Sequence, residues 1–165
     1  MEQKIVQKET PVSVRKNLRE DGLYRWDDVE VKEYRKVGDF FRDINKQVFF
    51  DDSHGFSCEL RYFEVKPGGF SSFEFHDHVH GVMVLRGKGQ VLGYSEQRGS
   101  FIDDIAEHDL VYVPSRTWHQ FQAAEDEFLG FLCLVEIDRD RPRRPNEEEA
   151  AEIRKDPLIG EIVRL

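Results

Sequence analysis

Cysteine is scarce in this chain of 165 residues, with only Cys58 and Cys133, far apart and both in apolar segments. That spacing excludes a disulfide framework, and reduced thiols are typical of a cytoplasmic protein. Long apolar runs are missing, and the opening MEQKIVQKET has no signal-like apolar region. Positive charge is not in excess either, because the formal net charge is −9. We therefore predict a soluble, cytoplasmic protein that binds neither nucleic acid nor membranes.

The apolar content, 39% of the chain with 13 phenylalanines, is enough for one domain with a sizeable core. Between residues 58 and 137, short segments rich in Val, Phe, Tyr and Leu alternate with Gly, Pro and Asp. Short strands separated by turns at regular intervals are typical of a sandwich or barrel. The central segment therefore predicts an all-β domain.

The two flanking segments differ from this central part in composition. We predict that residues 1–57 form an N-terminal arm with short strands and, in DFFRDINKQVFF, a short helix based on the spacing of its apolar residues. Residues 138–165 are highly charged and predict a helical tail. Its first helix is capped by Asn146, and a second short helix lies in LIGEIVRL.

The stretch FEFHDHVHGVMVLRGKG places polar side chains at every second position, at Glu74, His76, His78 and His80. Residues two apart in a strand share one face of the sheet. Three histidines and a glutamate on an inward face would be costly to desolvate unless a cation compensates. A solvated outward edge is the alternative, but that face continues as valine and the opposite face is also apolar.

This stretch, extended to PGGFSSFEFHDHVHGVMVLRGKG, and the later HDLVYVPSRTWHQFQA resemble the two motifs of the cupin family. Counting back from Gly87 places the first motif's acid at His80 and its two histidines at His76 and Glu74. In the second motif Pro114 and His119 match. Three positions of the second motif depart from the family pattern, at His108, Arg116 and Ala123, and in the first motif His80 replaces the acid and Glu74 replaces a histidine. The resemblance covers about residues 58–135 and implies a single cupin-type antiparallel β-barrel, also called a double-stranded β-helix or jelly roll.

A small barrel can enclose one ligand-sized cavity, and the resemblance implies a metal site inside it. We expect Glu74, His76, His80 and His119 to hold a divalent transition metal. The donor set suits Mn²⁺ or Fe²⁺, with Ni²⁺ and Zn²⁺ as alternatives. His78 either lies at the rim or joins the ligands, and the rim is favoured because four inward residues on one strand would crowd one ion.

Two further residues are candidates for catalysis. Cys133 in FLGFLCLVEI is either a small core residue or a thiol that faces the metal cavity. The outward placement expected for the neighbouring leucines favours the second alternative. Tyr112 either donates a hydrogen bond to a substrate or caps the barrel edge. Four cationic residues are candidate anchors for a substrate anion: Arg61, Lys66, Arg86 and Arg116.

These features predict a metal-dependent enzyme acting on a small oxygenated metabolite. The whole chain resembles small single-domain bacterial cupins of the cupin-2 type with a charged RDRP-type tail. A subset of these acts as methylthiotransferases on methylthio-xylulose 5-phosphate. The alternatives are a non-catalytic cupin that binds a small molecule and a metal-dependent dioxygenase. We also expect a homodimer, because short-strand barrels have open edges and both terminal segments need a surface to pack on.

Overall fold

The computed structural model describes residues 12–20, 22–34 and 40–165. Its strands are β1 (Asn17–Glu20), β2 (Leu23–Trp26), β3 (Val31–Glu33), β4 (Arg42–Phe50), β5 (Cys58–Phe70), β6 (His80–Ser95), β7 (Gly99–Ala106), β8 (Leu110–Val113), β9 (Trp118–Ala123) and β10 (Leu129–Glu136). A single turn of 3₁₀-helix spans Asp52–His54, and the helix α1 spans Glu147–Ile153.

The main sheet closes into an antiparallel barrel. Its strands follow the order β10-β6-β9-β5-β4-β3, and β10 also pairs with β5, which joins the two sides. The long strand β6 pairs with β10 and β8 along its first half and with β7 and β9 along its second half. Closure removes most of the unpaired strand edge. The all-β, cupin-type barrel predicted from the sequence is therefore confirmed.

The strands alternate between an inner apolar face and an outer face. In β10, Phe131, Cys133 and Val135 are buried inside the barrel, whereas Leu134 is exposed on the outside. Strand β6 bends at Gly87, which has a φ of 70°. A Cβ atom at that position would lie 1.8 Å from the backbone oxygen of Phe128, so only glycine fits the bend.

Two outer layers cover the barrel. The β1–β2 hairpin packs on the outer face of β4 and β5, where the Trp26 ring contacts the rings of Phe49 and Tyr62. The C-terminal tail packs against Phe73 and Leu92 of the barrel, and its Ile159 and Val163 are buried there in a second apolar cluster. Asn146 caps α1 in a reciprocal capping box, as predicted. None of the helices in the described part of the chain is long and apolar enough to span a membrane.

The helix predicted in DFFRDINKQVFF is wrong, because residues 42–50 form β4. Register shifts occur at both ends of this strand, between Arg42 and Ile44 and between Val48 and Phe50. Both strand faces are also covered, so the apolar residues lose their alternation of two and mimic helical spacing. The expected second helix in LIGEIVRL is instead a series of turns. Residues 1–11 of the predicted N-terminal arm lie outside the described residues.

Candidate active site

The barrel encloses a cavity of about 180 Å³. One wall is formed by histidines and the other by apolar and cationic side chains. The polar side chains and the thiol that line the cavity include Lys46, Arg61, Glu74, His76, His78, His80, His119, Cys133 and Arg139. A cavity that combines apolar side chains with several converging polar groups is a usual form of a small-molecule site.

Three buried histidines converge in this cavity. His80 begins β6, His119 lies in β9, and His76 lies in the segment that leads into β6. One nitrogen from each lies within 4.8 Å of the others. The backbone of Glu74 pairs with that of His119, which holds the segment before β6 against β9. The two sequence motifs therefore meet as the resemblance implied.

The hydrogen bonds of these histidines fix which nitrogen can bind a metal. Nδ1 of His76 donates to the backbone oxygen of His78 at 2.8 Å, and Nδ1 of His119 donates to that of Thr117 at 3.0 Å. A carbonyl oxygen can only accept, so both rings carry their proton on Nδ1 and present a free lone pair at Nε2. This is the arrangement by which proteins orient metal-binding histidines.

Burial keeps all three imidazoles uncharged. Desolvation and the neighbouring His119 and His78 lower the pKa of His76 to about 4. Desolvation, followed by the charges of His119 and His76, lowers the pKa of His80 far below its ordinary value. Burial also lowers the pKa of His119. Neutral imidazole is the form that binds metals, so the site is prepared for a cation at neutral pH.

The distance between ring nitrogens also fits a metal. Nε2 of His80 and Nε2 of His119 lie 3.1 Å apart. Two nitrogens at right angles around a metal with bonds of about 2.1 Å would lie about 3 Å apart. Two neutral imidazoles with lone pairs directed at each other would gain nothing from this contact unless a cation or a shared proton lay between them. The three residues therefore fit a divalent metal.

Glu74 and His78 line the same cavity but are not part of the close nitrogen group. The Glu74 carboxylate accepts hydrogen bonds from Ser72 Oγ at 2.7 Å and from the Tyr34 hydroxyl at 3.3 Å. The His78 side chain contacts Asp140 Oδ1 through Nδ1 at 2.6 Å, and its ring stacks on His76. Glu74 as a fourth ligand and His78 as a further one remain predictions.

Asp140, from the segment after β10, holds the loop that carries His78. Its carboxylate also accepts the backbone N–H groups of Asp77 and His78, each at 2.9 Å. Burial opposes ionisation of this carboxyl, but these hydrogen bonds outweigh it and lower the pKa of Asp140 to about 2. The sequence pattern gave no indication of this contact, because 62 positions separate the two partners.

The structure places Cys133 on the inner face of β10, which agrees with the outward placement expected for the neighbouring leucines. Its Sγ lies 3.3 Å from Nδ1 of His80 and 3.2 Å from Nη2 of Arg61. Burial raises the pKa of this thiol, while the charge and hydrogen bond of Arg61 act in the opposite direction. The thiol is therefore next to a candidate metal ligand and within reach of a permanent cation.

Several expectations about other residues need correction. Of the four predicted anion anchors, only Arg61 lines the cavity. Arg86 pairs with Glu64 at 2.9 Å, while Lys66 and Arg116 are exposed on the surface. Tyr112 lies on the outer face of β8 with 67% of its surface exposed, because alternation turns Val111 and Val113 inward instead.

Two cationic residues in the cavity were missed by sequence reasoning. Lys46 lies on β4, which was predicted as helix, and Arg139 follows β10 in the charged tail. Position along the chain was the only sequence feature that could have indicated these two residues. Lys46 is two residues from the buried Ile44 on β4, and Arg139 comes shortly after the last barrel strand.

Comparisons with known proteins agree with the fold. No family model matches the chain. A crystal structure of a cupin 2 conserved barrel domain protein from Rhodopseudomonas palustris is 44% identical, covers 93% of this chain and all of that one, and superimposes with a TM-score of 0.81. This chain belongs to the cupin family.

Two further relatives strengthen this assignment. A cupin-2 domain protein of known structure from Rhodospirillum rubrum is 42% identical to this cupin, with a TM-score of 0.74 over 83% of this chain and 88% of that one. A curated protein of the same organism, named 1-methylthio-D-xylulose 5-phosphate methylsulfurylase, is 44% identical over 138 residues. That match covers 83% of this chain and 85% of the relative.

Proposed function

We propose that this cupin is a metal-dependent enzyme that removes the methylthio group from 1-methylthio-D-xylulose 5-phosphate, the compound in the name of its curated relative. The observation that carries the proposal is the position of Cys133. Its thiol lies in the cavity beside the three-histidine group, which is where a nucleophile would meet a metal-bound ketose. The 44% identity over most of the chain supports the same substrate.

The proposed step is a transfer of the methylthio group to sulfur. The thiolate of Cys133 attacks the substrate sulfur, so that an S–S bond forms while the bond between that sulfur and carbon 1 breaks. The electron pair of the broken bond stays on the carbon skeleton as the enolate of the ketone at carbon 2. Protonation of carbon 1 gives the 1-deoxyketose phosphate. An external thiol then takes up the methylthio group as a mixed disulfide and releases the Cys133 thiol.

Two hydrogen-bond donors around Sγ would favour a thiolate and oppose the effect of burial. Arg61 has only donors, and a proton on Nδ1 of His80, whose Nε2 faces His119, would make that ring a second donor to the sulfur. Both would then stabilise negative charge on Sγ. Because burial alone raises the thiol pKa, we infer that Arg61 is needed to form the nucleophile.

A divalent metal held by His76, His80 and His119 would polarise the ketone oxygen of the substrate and favour departure of the carbon skeleton as an enolate. We propose Mn²⁺ or Fe²⁺, because nitrogen and carboxylate donors with open positions suit these ions. Glu74 would be the carboxylate ligand, and Tyr34 and Ser72 would orient it.

The direct test is turnover. The purified, metal-loaded protein is incubated with 1-methylthio-D-xylulose 5-phosphate and a small thiol, and the products are identified by mass spectrometry. We expect a 1-deoxyketose phosphate and a methyl disulfide of the added thiol. Binding without turnover would support the alternative of a non-catalytic cupin. Consumption of oxygen with cleavage of the carbon chain would support a dioxygenase.

We also propose that the protein is a homodimer in the cytoplasm. The outer faces of β10, β6 and β8 carry adjacent exposed apolar side chains. They are Leu134, Met83, Leu110 and Tyr112. Strand register places them side by side, and exposed apolar patches of this kind commonly mark subunit contacts. Because the patch faces away from the cavity, each subunit would keep its own site.

A further inference from the structure

Three cations gather on the side of the cavity away from the histidine group. Lys46 comes from β4, Arg61 from β5, and Arg139 from the segment after β10. Glu59 partly neutralises them, since its Oε1 accepts from Arg139 Nη2 at 3.1 Å and lies 3.4 Å from Arg61 Nε. Three positive charges therefore meet one negative charge beside the cavity.

Within the described residues, this group of cations has a surplus of positive charge and a hydrogen-bond donor without an acceptor. Nε of Arg61 is buried and makes no hydrogen bond within the part of the chain that the structure describes. Lys46 is half-buried, and its pKa is lowered by burial and by the positive charge of Arg61. A buried polar group with an unused donor is costly in a native protein, and a bound anion would remove that cost.

Strand register places two of these cations, Arg61 and Lys46, in a line with the Cys133 thiol and His80. Cys133 on β10 is directly opposite Arg61 on β5. His80 on β6 lies diagonally from Cys133, and Lys46 on β4 lies diagonally from Arg61. Diagonal and opposite neighbours on one sheet face are within reach of long side chains. The functional groups thus follow one row: imidazole, thiol, guanidinium, ammonium.

We propose that Lys46, Arg61 and Arg139 form a subsite for the phosphate of a phosphorylated ketose. This inference rests on the proposed function. The ketone and the methylthio group lie at one end of that substrate and the phosphate at the other. The row of side chains is divided in the same way, with His80 and Cys133 at one end for the ketone and the methylthio group, and the cations at the other end for the phosphate.

Charge also favours a phosphate monoester over a carboxylate or a neutral sugar. A phosphate monoester carries about −1.5 to −2 charges at neutral pH and has three acceptor oxygens. The three cations outnumber the Glu59 carboxylate, so the group has a surplus of positive charge for such an anion. Lys46 is the residue that tests the subsite most cleanly, because Arg61 also contacts Cys133 and Arg139 also donates to the backbone oxygen of Glu136.

The experiment is isothermal titration calorimetry of the metal-loaded, full-length protein with D-xylulose 5-phosphate. This ligand has no methylthio group, so the proposed reaction does not consume it. D-Xylulose without phosphate and inorganic phosphate are titrated in parallel. We expect the sugar phosphate to bind about tenfold or more tightly than the free sugar, and inorganic phosphate to compete with it. Equal affinity for the two sugars would overturn the subsite.

The variants separate a local effect from a general change in charge. Lys46→Met should weaken binding of the sugar phosphate about tenfold and leave binding of the free sugar unchanged, whereas Lys46→Arg should restore it. Lys46→Gln gives the same comparison if the methionine variant unfolds. Lys66→Met is the matched control: Lys66 is exposed on β5 outside the cavity, and binding should change by less than about twofold. Equal losses at the two positions would contradict the proposal.

Kinetics distinguish failure of the subsite from failure of the proposed function. Methylthio transfer with an unchanged KM in Lys46→Met would leave the function standing and overturn the subsite. Phosphate-dependent binding that is lost in Lys46→Met, in a protein that transfers no methylthio group, would support the subsite and overturn the function.

Discussion

Strand β5 separates two groups of buried charge with opposite properties. On its outer face, the Glu64 carboxylate is 1% exposed and accepts from four donors. They are the Tyr24 backbone N–H, Arg25, the Tyr62 hydroxyl and Arg86. On its inner face, Arg61 lines the cavity, and its buried Nε makes no hydrogen bond among the residues that the structure describes. Within the described residues, the hydrogen bonds of the outer group are saturated and those of the inner group are not.

This difference teaches how to separate structural from functional polar groups in a barrel. A buried carboxylate with two arginines and two further donors needs no ligand, and it pins the β1–β2 hairpin to the barrel. The inner group combines surplus cations, three neutral histidines and a thiol, a composition that suits the proposed metal and anion. If saturation divides the two faces, substitutions on the inner face should affect metal binding and turnover, and those on the outer face should affect stability alone.

Cys133→Ser should abolish methylthio transfer, with a loss on the order of a thousandfold or more, because serine is a far weaker nucleophile towards sulfur. Metal content and melting temperature should change little, since the side chain keeps its size. The measurement is steady-state turnover together with elemental analysis. Cys58→Ser is the control and should remain active; full activity of Cys133→Ser would leave the thiol as core packing.

His119→Ala should lower metal affinity about a hundredfold or more, because it removes one of the three converging nitrogens. Affinity is measured by competition with a chromogenic chelator for Mn²⁺ and Fe²⁺. His108→Ala is the matched control, since His108 lies in a turn and is exposed. If both variants lose the metal equally, the assignment of the second motif is incorrect.

Glu64→Ala should destabilise the protein by about 3–5 kcal/mol without changing metal affinity, because it leaves Arg25 and Arg86 half-buried and unpaired. Denaturant unfolding with the metal-free protein gives this value. The control Glu152→Ala breaks an exposed pair with Lys155 and should cost less than about 0.5 kcal/mol. A loss of metal binding in Glu64→Ala would show that the two faces are coupled.

The metal-free protein should lose stability as the pH falls from 6.5 towards about 4. The pKa values of His76, His80 and His119 are lowered in the folded state, so the unfolded chain binds protons in this window that the folded chain does not. The stability that the neutral imidazoles contribute is thus present above pH 6.5 and decreases below it.

The melting temperature measured against pH checks this, and saturating Mn²⁺ should flatten the curve because metal competes with protons. In the His119→Gln variant, the number of protons that the chain takes up on unfolding should decrease by about one. A melting temperature that is constant between pH 6.5 and 4 would contradict the neutral, buried histidines.

The smallest effect on activity is expected at the outer apolar face. Light scattering should give the mass of a dimer at micromolar concentration. Leu110→Asp should give a monomer that retains metal and turnover, because Leu110 is 77% exposed and faces away from the cavity. Lys88→Asp is a surface control on another part of β6 and should remain dimeric. A monomeric wild-type protein would overturn the proposed assembly.

The sequence predicted the barrel and the core of the site because both depend on local patterns. His76 and His80 lie within one short segment, and the spacing to Gly87 is itself a feature of the cupin motif. The orientation of Cys133 was also predictable, because alternation along β10 is regular and its leucine neighbours face outward. Strand β4 was misassigned because bulges at both ends disrupt the same regularity.

By itself, therefore, the sequence determined the fold class, the histidine set and the inward thiol, since each follows from periodicity within one strand or from spacing within one motif. Only the tertiary structure decided which charges are saturated. Glu64 finds Tyr24 and Arg25 about 40 positions away, and Arg61 meets Cys133 across 72 positions. Such pairings depend on strand order and barrel closure. A linear pattern therefore cannot distinguish a cation that pins a hairpin from one that faces a ligand.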